Sequence, residues 1–359
     1  MSHYVCNDIA RTTEDRQIKT VLASLLLLVS TLSWAHEEPV VNVFAWTNYF
    51  PKAVIHQFEA ETGIKVNLSE YDSNEDLYAK LKADPHSGYD VIIPSSYYVQ
   101  RMRLEGMLHR LDKAALTNAH FLDPALLNKA FDPHNKYSLP YLWGTTGIVV
   151  DKRYWNPKTI QRWSDLWQKR FANQLLLYDD QREVFAIGLL VLGHSINTSN
   201  PRYIKQAYLK LQKIMPNVRL FSSDAPISAY ADTDVSVGMA ESGDFVLARR
   251  ANPYLVYIYP KDGFAVWEDC FAVPKYAPHV ANAMRFINFT MRPKVGVEIA
   301  VIQGYSSPNL KTRQLSPKKD RDDPAMYPSK KTLERGHMEG YVKSARGLYL
   351  HYWQLLKLS

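Results

Sequence analysis

The chain has 359 residues, of which 46% are hydrophobic and 22% charged, values that are ordinary for a folded soluble protein, and its length favours two lobes over one. The formal net charge of +7 suggests nucleic-acid binding, but much of the basic excess lies in residues 311–336, where acids interrupt it. No zinc finger, Gly-rich phosphate loop or RNA-binding motif accompanies this segment, so we predict a solvated surface and no nucleic-acid partner.

The first segment predicts export. Lys19 is followed by VLASLLLLVSTLSWA, an apolar run of signal-peptide length that ends with small residues where signal peptidase requires them. The run is shorter than the roughly 20 residues that span a bilayer. We therefore predict that residues 1–35 are a signal peptide cleaved near Ala35 and that the mature protein is periplasmic. Its single remaining cysteine, Cys270, precludes an intramolecular disulfide and a cysteine metal cluster.

The chain after this segment alternates strands and helices. VNVFAW and IKVNLSEY predict buried strands, and the helix between them has one apolar face and ends at Gly63. Ser73 is expected to cap the next helix, and DVIIP predicts a third strand, followed by a helix capped by Ser95 or Ser96. This β-α-β-α order predicts a mostly parallel sheet with helices on both faces, the arrangement of an α/β fold.

The next segment, YSLPYLWGTTGIVVDK, predicts a crossing between two lobes, with Gly144 and Gly147 on either side of a possible hinge. A second alternation follows: a helix that starts at WSDLW, the strand LLLYDD, a helix over residues 182–192 and the strand VSVGM. The sequence therefore predicts a second lobe built on the same principle as the first.

Ligands of open α/β sheets bind at the carboxyl ends of the strands. The residues near these predicted ends are acids or carry aromatic rings or hydroxyls: Trp46, Tyr49, Ser95, Tyr97, Asp180, Glu183, Glu241, Asp244, Trp267, Asp269 and Tyr305. The set has no histidine or cysteine, so we predict no metal site, no cofactor and no nucleophilic catalysis. Acids with aromatic faces suit an organic polycation, because carboxylates pair with ammonium groups and rings cover the methylenes between them.

Asp180 and Glu183 have a second interpretation. An acid at a helix start with a glutamate three residues later is also a capping box, and these two residues alone favour capping. One residue can do both, because side chains at i and i+3 share a helix face. Trp46 and Trp267 could be core tryptophans, but polar residues follow each of them, which favours a cleft edge.

A series of stretches, in order and spacing, resembles the periplasmic spermidine/putrescine-binding proteins of ABC importers: WTNYF, ETGIKV, SNEDLYAKLK, GYDVIIPSSYYV, FDPHNKYSLPYLWGTTGI, LLLYDDQREVF, MPNV, VWED, INFTMRP and GYSSPN. The resemblance implies a type II periplasmic-binding-protein fold, in which crossing strands join two mixed α/β lobes with a ligand cleft between them. It implies that one lobe comprises residues 36–146 plus 269–314 and the other 147–268 plus 315–359.

The same resemblance assigns ligand contacts to single positions. The family's aromatic and hydroxyl contacts correspond to Trp46, Tyr49, Ser95, Tyr97, Trp267 and Tyr305. Its amine-binding acids correspond to Asp180, Glu183 and Asp269, and Thr47 corresponds to a nearby polar contact. Glu241 stands where typical members have tryptophan, Glu339 where spermidine-binding members have glutamine, and Asp244 matches an acid of the putrescine-preferring type. If Glu241 faces the cleft it should favour spermidine over putrescine, although Asp244 acts in the opposite direction, so the preferred polyamine stays open.

These observations predict an extracytoplasmic protein that binds spermidine, putrescine or both and delivers the ligand, by lobe closure, to the membrane permease of an ABC importer. We expect a monomer without enzymatic activity. Two alternatives use the same residues: a polyamine sensor that reports occupancy to a membrane signalling protein, and a glycosidase-like enzyme, since paired carboxylates and aromatic platforms also line glycosidase clefts. We expect burial of Asp269 at the lobe crossing and a larger contribution to binding from it than from Glu183.

Overall fold

The computed structural model describes residues 37–223 and 225–359, so the predicted signal peptide over residues 1–35 lies outside the described residues. The strands of the described part are β1 Val40–Trp46, β2 Lys65–Tyr71, β3 Val91–Ile92, β4 Ser138–Asp151, β5 Leu175–Leu177, β6 Val218–Phe221, β7 Val237–Glu241, β8 Leu255–Ile258, β9 Phe264–Ala272 and β10 Gly336–Met338. Its α-helices are α1 Lys52–Thr62, α2 Asn74–Ala83, α3 Ser96–Leu104, α4 Gln181–Val191, α5 Pro201–Leu211, α6 Pro226–Ala231, α7 Ser242–Ala251, α8 Val280–Thr290, α9 Pro293–Gln303, α10 Leu310–Leu315, α11 Lys318–Arg321, α12 Lys330–Leu333 and α13 Arg346–Lys357. No helix in these two ranges is long and apolar enough to cross a membrane.

The strands form one mixed sheet in the order β2-β1-β3-β9-β4-β7-β5-β6, with β10 paired to β9 and β8 to β4. β1 pairs in parallel with β2 and β3, and β5 pairs in parallel with β6 and β7. The long strands β4 and β9 pair antiparallel with each other, β9 also with β3 and β4 also with β7. The prediction of a mostly parallel sheet therefore holds at both ends of the sheet and is wrong at its centre, because β4 and β9 cross in opposite directions.

The predicted helix boundaries at Gly63 and Ser73 are confirmed. α1 ends at Gly63, whose φ of 69° lies in the left-handed region that favours glycine. The Ser73 hydroxyl caps α2 by accepting a hydrogen bond from the backbone N–H of Asp76 at 3.1 Å. These two ends hold β2 in parallel register with β1, so that Trp46 and Tyr71 lie side by side at the carboxyl ends of the two strands.

Other predicted elements differ in type or bounds. WSDLW forms a 3-10 helix, Trp163–Trp167, instead of the start of an α-helix. Its position is set by tertiary hydrogen bonds, in which the Trp163 backbone N–H donates to Asp262 and the ring N–H donates to the backbone oxygen of Gly263. The strand predicted at VSVGM extends instead to Glu241, which is the last residue of β7 and precedes α7.

Gly144 and Gly147 lie inside the continuous strand β4 rather than at a break in it. A Cβ on Gly144 would collide with the indole ring of Trp267, and a Cβ on Gly147 would lie 2.6 Å from the ring of Tyr257. Both glycines are therefore needed for the close approach of an aromatic ring to the strand. The hinge that we placed between them stays a prediction.

Buried side chains form cores on both sides of the crossing strands. The cores on one side consist mainly of residues between 41 and 142 and between 267 and 305, and we call this side the first lobe. Residues between 148 and 266 and between 325 and 356 supply mainly the core on the other side, the second lobe. This division falls close to the lobe bounds that the resemblance implies, and those bounds stay a prediction.

Candidate functional site

Asp269 lies on β9 with its carboxylate enclosed by the first lobe. The residue is 6% exposed, and its Oδ1 accepts a hydrogen bond from the Ser95 hydroxyl at 2.5 Å while its Oδ2 accepts one from the Tyr49 hydroxyl at 2.6 Å. Burial raises the pKa of Asp269 to about 6, and the two hydroxyl donors oppose that rise. Both oxygens of this acid are therefore held in place.

The predicted start of α3 after Ser95 is confirmed, but the predicted side-chain cap is wrong. Ser95 occupies the cap position but makes no capping hydrogen bond, since its hydroxyl is committed to Asp269. The Ser96 hydroxyl donates to the backbone oxygen of Glu339 in the second lobe at 3.1 Å. Both serines thus serve contacts between distant parts of the chain instead of the helix end.

Asp180 and Glu183 lie at the start of α4 and have different partners. Asp180 caps the helix, because its Oδ1 accepts from the backbone N–H groups of Arg182 at 2.6 Å and Glu183 at 3.0 Å. The Glu183 carboxylate does not complete a capping box, since its Oε1 accepts from the Thr146 hydroxyl at 2.8 Å instead. Its Oε2 is buried and has no hydrogen-bond partner among the described residues. Burial and the charges of Glu339 and Asp180 raise the pKa of Glu183 well above its ordinary value.

Glu241 and Asp244 meet two tyrosine hydroxyls at the junction of β7 and α7. The Tyr305 hydroxyl lies 2.7 Å from Oε2 of Glu241 and 2.9 Å from Oδ1 of Asp244. The Tyr178 hydroxyl donates to Oδ2 of Asp244 at 2.5 Å and accepts from the backbone N–H of Glu241 at 2.7 Å. Burial raises the pKa of both acids, and the Asp244 charge adds to the rise for Glu241. The Glu241 side chain therefore turns towards the other acids and not away from them.

Glu339 and Tyr97 lie where the two lobes meet on the side of Asp180. Glu339 is 5% exposed, and its Oε1 is buried without a hydrogen-bond partner in the described ranges. Burial raises the pKa of Glu339 to about 7, against the opposing charge of Arg182. The Tyr97 hydroxyl accepts from Asn74 Nδ2 at 3.2 Å. After Glu183 Oε2, this is a second buried carboxylate oxygen of the site without a hydrogen-bond partner among the described residues.

The predicted aromatic residues divide into two groups. The rings of Trp267 and Tyr305 are in edge contact with centroids 5.1 Å apart, and Trp267 Nε1 is buried without a partner among the residues that the structure describes. Trp46 is partly buried and donates its ring N–H to a backbone oxygen of the first lobe. Thr47 is exposed and donates to Asp72 at 2.6 Å, so the structure does not bring it among the buried acids.

Tyr178, Asn74 and Thr146 hold predicted site residues in place and were missed. Tyr178 directly follows β5 in LLLYDD, so the strand-end rule could have identified it. Asn74 opens α2, and its side chain binds both Ser95 and Tyr97, although the sequence there indicates only a helix start. Thr146 lies within β4, where no local pattern marks it, because its role depends on which helix passes the strand.

The acids of the candidate site act on one another and share one region, in which Glu183, Asp269 and Glu339 are buried and Asp180, Glu241 and Asp244 are partly buried. None of them forms a salt bridge with a Lys, Arg or His of the described ranges. In those ranges no group of three or more His, Cys, Asp or Glu residues is arranged to hold a metal ion. Arg182 lowers the pKa of three of them from a distance, but carboxylates without a salt-bridge partner can be stabilised further by a ligand whose positive charges are spread along its length.

The sheet is mixed and is crossed by two long strands, and charged side chains lie between the two lobes. This arrangement is that of a two-lobed periplasmic type of solute-binding protein. Residues 53–328 match the family described as bacterial extracellular solute-binding protein, and the chain belongs to this family. The predicted family and fold are thereby confirmed, and the assignment makes this an exported protein.

Relatives and solved structures cover most of the chain. The spermidine/putrescine-binding periplasmic protein of Salmonella typhimurium is 44% identical over 335 residues, 93% of this chain and 96% of its own. The putrescine-binding periplasmic protein of Escherichia coli is 32% identical over 86% of this chain and 88% of its own. The spermidine/putrescine ABC transporter substrate-binding protein of Streptococcus pneumoniae superposes with a TM-score of 0.78 at 32% identity, over 89% of this chain and 98% of its own. Since these relatives are binding proteins, the prediction that the chain is not an enzyme is confirmed.

Proposed function

We propose that this protein binds a polyamine in the cleft between its lobes and delivers it to the membrane permease of an ABC importer. The observation that carries the proposal is the group of buried and partly buried site acids, none of which has a salt bridge to a basic residue of the described ranges. Burying carboxylates without cations is costly, and ammonium groups of a ligand would supply the missing charge and the missing donors.

The site acids form an electrostatically linked series, which favours a ligand with several positive charges. The charges of Glu339 and Asp180 act on Glu183, and the charges of Asp244, Glu183 and Asp269 act on Glu241. A polyamine alternates ammonium groups with short hydrocarbon segments, so successive ammonium groups can pair with successive acids. The aromatic rings beside the series would cover the methylenes, each of which contributes about 0.8 kcal/mol when buried.

Both lobes contribute residues to the proposed binding site, which supports delivery by lobe closure. Tyr49 and Ser95 approach Asp269 from the first lobe, and Glu183 and Glu241 belong to the second. A ligand held by both sets would stabilise the closed arrangement relative to an open one, because only the closed arrangement completes its contacts.

The names of the relatives support this ligand class and this role. The Salmonella relative is named for spermidine and putrescine, and the Streptococcus structure for an ABC transporter. That second name favours transport over the sensor that uses the same cleft. The further parts of the proposal are a periplasmic location, cleavage of the signal peptide near Ala35 and a monomeric state.

Isothermal titration calorimetry of the mature protein with putrescine, cadaverine, spermidine and spermine tests the proposal. We expect at least one of these polyamines to bind and the variant Glu183→Gln to bind it more weakly. Asp179→Asn is the matched control, because Asp179 is 42% exposed and pairs with Lys357 at 2.7 Å on the surface. A folded protein that binds none of these polyamines would overturn the proposal.

A further inference from the structure

The hydroxyl of Tyr305 lies between two carboxylates but carries one proton. It is 2.7 Å from Glu241 and 2.9 Å from Asp244, and a phenol can donate a single hydrogen bond. The proton of Tyr178 is already used, because this hydroxyl donates to the other oxygen of Asp244 and accepts from the backbone N–H of Glu241. One of the two contacts of Tyr305 therefore has no proton from a tyrosine.

A proton on Glu241 satisfies every one of these contacts. Tyr178 and Tyr305 then both donate to an ionised Asp244, and the protonated Glu241 donates to the oxygen of Tyr305. With both acids ionised, a carboxylate oxygen of Glu241 would instead face a lone pair of Tyr305 in a poorly solvated space. The geometry thus favours a pair of acids that shares one proton when no other cation is present.

The surroundings of the pair act in the same direction. Burial and then the charges of Asp244 and Glu183 raise the pKa of Glu241, whereas hydrogen bonds from Tyr178 and Tyr305 lower that of Asp244. The titratable groups that face the pair from neighbouring elements are Glu183 on α4, Asp269 on β9, Tyr257 on β8, Tyr230 on α6, Tyr178 after β5, Tyr49 after β1 and Tyr305 after α9. None of these groups is a cation, and the acids among them, Glu183 and Asp269, oppose a second negative charge on the pair.

A separate observation indicates that a cation completes this region. Glu183, whose charge acts on Glu241, is 6% exposed, and its Oε2 has no hydrogen-bond partner in the described part of the chain. The region around the acid pair is therefore incomplete on the side of the other site residues.

We propose that an ammonium group of the ligand takes the place of the proton shared by Glu241 and Asp244, so that polyamine binding releases a proton to solvent. The carboxylic acid of Glu241 loses its proton to water, and the resulting carboxylate pairs with the ammonium group, which keeps its own protons. The affinity for the ligand therefore depends on pH through the protonation of Glu241. This inference rests on the proposed polyamine binding and adds the exchange of one cation for another.

Calorimetric titration of spermidine into the whole mature protein, at several pH values around neutrality and in phosphate and Tris buffers, tests the exchange. The difference in heat between buffers counts released protons, and we expect about one per ligand from the coupled pair. Affinity should rise by up to about tenfold per pH unit until the pair is ionised in the free protein. Glu241→Gln should lower the number of released protons by about one and weaken the pH dependence of affinity, and so should Asp244→Asn, which leaves Glu241 without its charged partner.

The outcomes separate this inference from the proposed function. Asp179→Asn, on the surface beside Lys357, is the control and should behave as wild type. Wild-type binding without proton release would overturn the exchange and leave polyamine binding in place. Release that persists unchanged in both folded variants would also overturn it, because the proton would then come from another acid such as Glu339. Failure of the wild type to bind spermidine or any other polyamine would overturn the proposed function and the exchange with it.

Discussion

Asp269 and Glu183 are equally buried, at 6% exposure each, but only Asp269 has partners for both carboxylate oxygens. Ser95 and Tyr49 donate to Asp269, whereas Glu183 accepts one hydrogen bond from Thr146, and its buried Oε2 has no partner among the described residues. The expected burial of Asp269 is confirmed, but Glu183 is buried to the same extent. The difference between them lies in how much of each carboxylate the fold already uses.

Replacing each acid by its amide should separate stability from binding. Asp269→Asn leaves one of the two hydroxyl donors without an acceptor and should lower the free energy of unfolding by about 1–3 kcal/mol. Glu183→Gln removes a desolvated charge and should leave stability unchanged or higher. Both should weaken spermidine binding by more than about tenfold, because each leaves an ammonium group without its partner. Thermal melting and calorimetric titration check this; equal melting temperatures for the two variants would contradict it.

Glu268 should make stability depend on pH. Burial raises its pKa to about 8 from the ordinary value of 4.5, which the unfolded chain retains. Between these values the folded state binds more protons than the unfolded state, so this residue reduces stability as pH rises through that window. Glu268→Gln should match wild type at about pH 5 and exceed its unfolding free energy by a few kcal/mol above about pH 8. Urea unfolding measures the difference, and a variant with the wild-type pH profile would rule out this role.

Gly144→Ala should damage both folding and binding. The added methyl group would collide with the ring of Trp267 and lie 3.0 Å from the hydroxyl oxygen of Ser242, so the indole must move. We expect a loss of about 1–3 kcal/mol in stability and weaker polyamine binding. Gly347→Ala is the control, because a Cβ there meets no atom within 4 Å. If Gly144→Ala binds and melts like the control, the ring does not depend on that glycine.

Lobe closure should shrink the molecule in solution. Gln181 of α4 donates to Glu75 of α2 at 3.3 Å, and this contact joins the two lobes. Small-angle scattering should give a smaller radius of gyration with saturating spermidine than without it. Gln181→Ala should keep the closed radius at saturation but raise the dissociation rate a few-fold, because it removes a contact of the closed form alone. An unchanged scattering profile at proven saturation would exclude closure.

Glu241→Trp tests the basis of ligand preference. The structure turns Glu241 towards Tyr305, so the substitution exchanges a carboxylate for an aromatic wall within the site. Spermidine should lose more affinity than putrescine, since the longer ligand has an additional ammonium group to pair. Competition binding gives the ratio of the two affinities, and a ratio equal to that of wild type would remove Glu241 from ligand selection.

Local sequence patterns predicted the helices and strands that position the site, but they could not predict contacts between distant segments. The apolar run of LLLYDD and the acids after it predicted β5, α4 and the cap by Asp180, because these depend on neighbours in sequence. The partner of Glu183 is Thr146, which the crossing of β4 past α4 brings near, and no sequence period encodes that approach. The contact of Gly144 with Trp267 was missed for the same reason, since it depends on the register of β4 against β9.

The start of α4 holds Asp180 in place, and Ser95 and Tyr49 hold Asp269. This anchoring affects the rates of ligand binding. Immobilising a flexible side chain during association costs about 0.5–1.5 kcal/mol, and folding has already immobilised these two. An incoming cation therefore meets preorganised acceptors, and association should be limited by diffusion and lobe movement. Differences in affinity between polyamines should then appear mainly in their residence times.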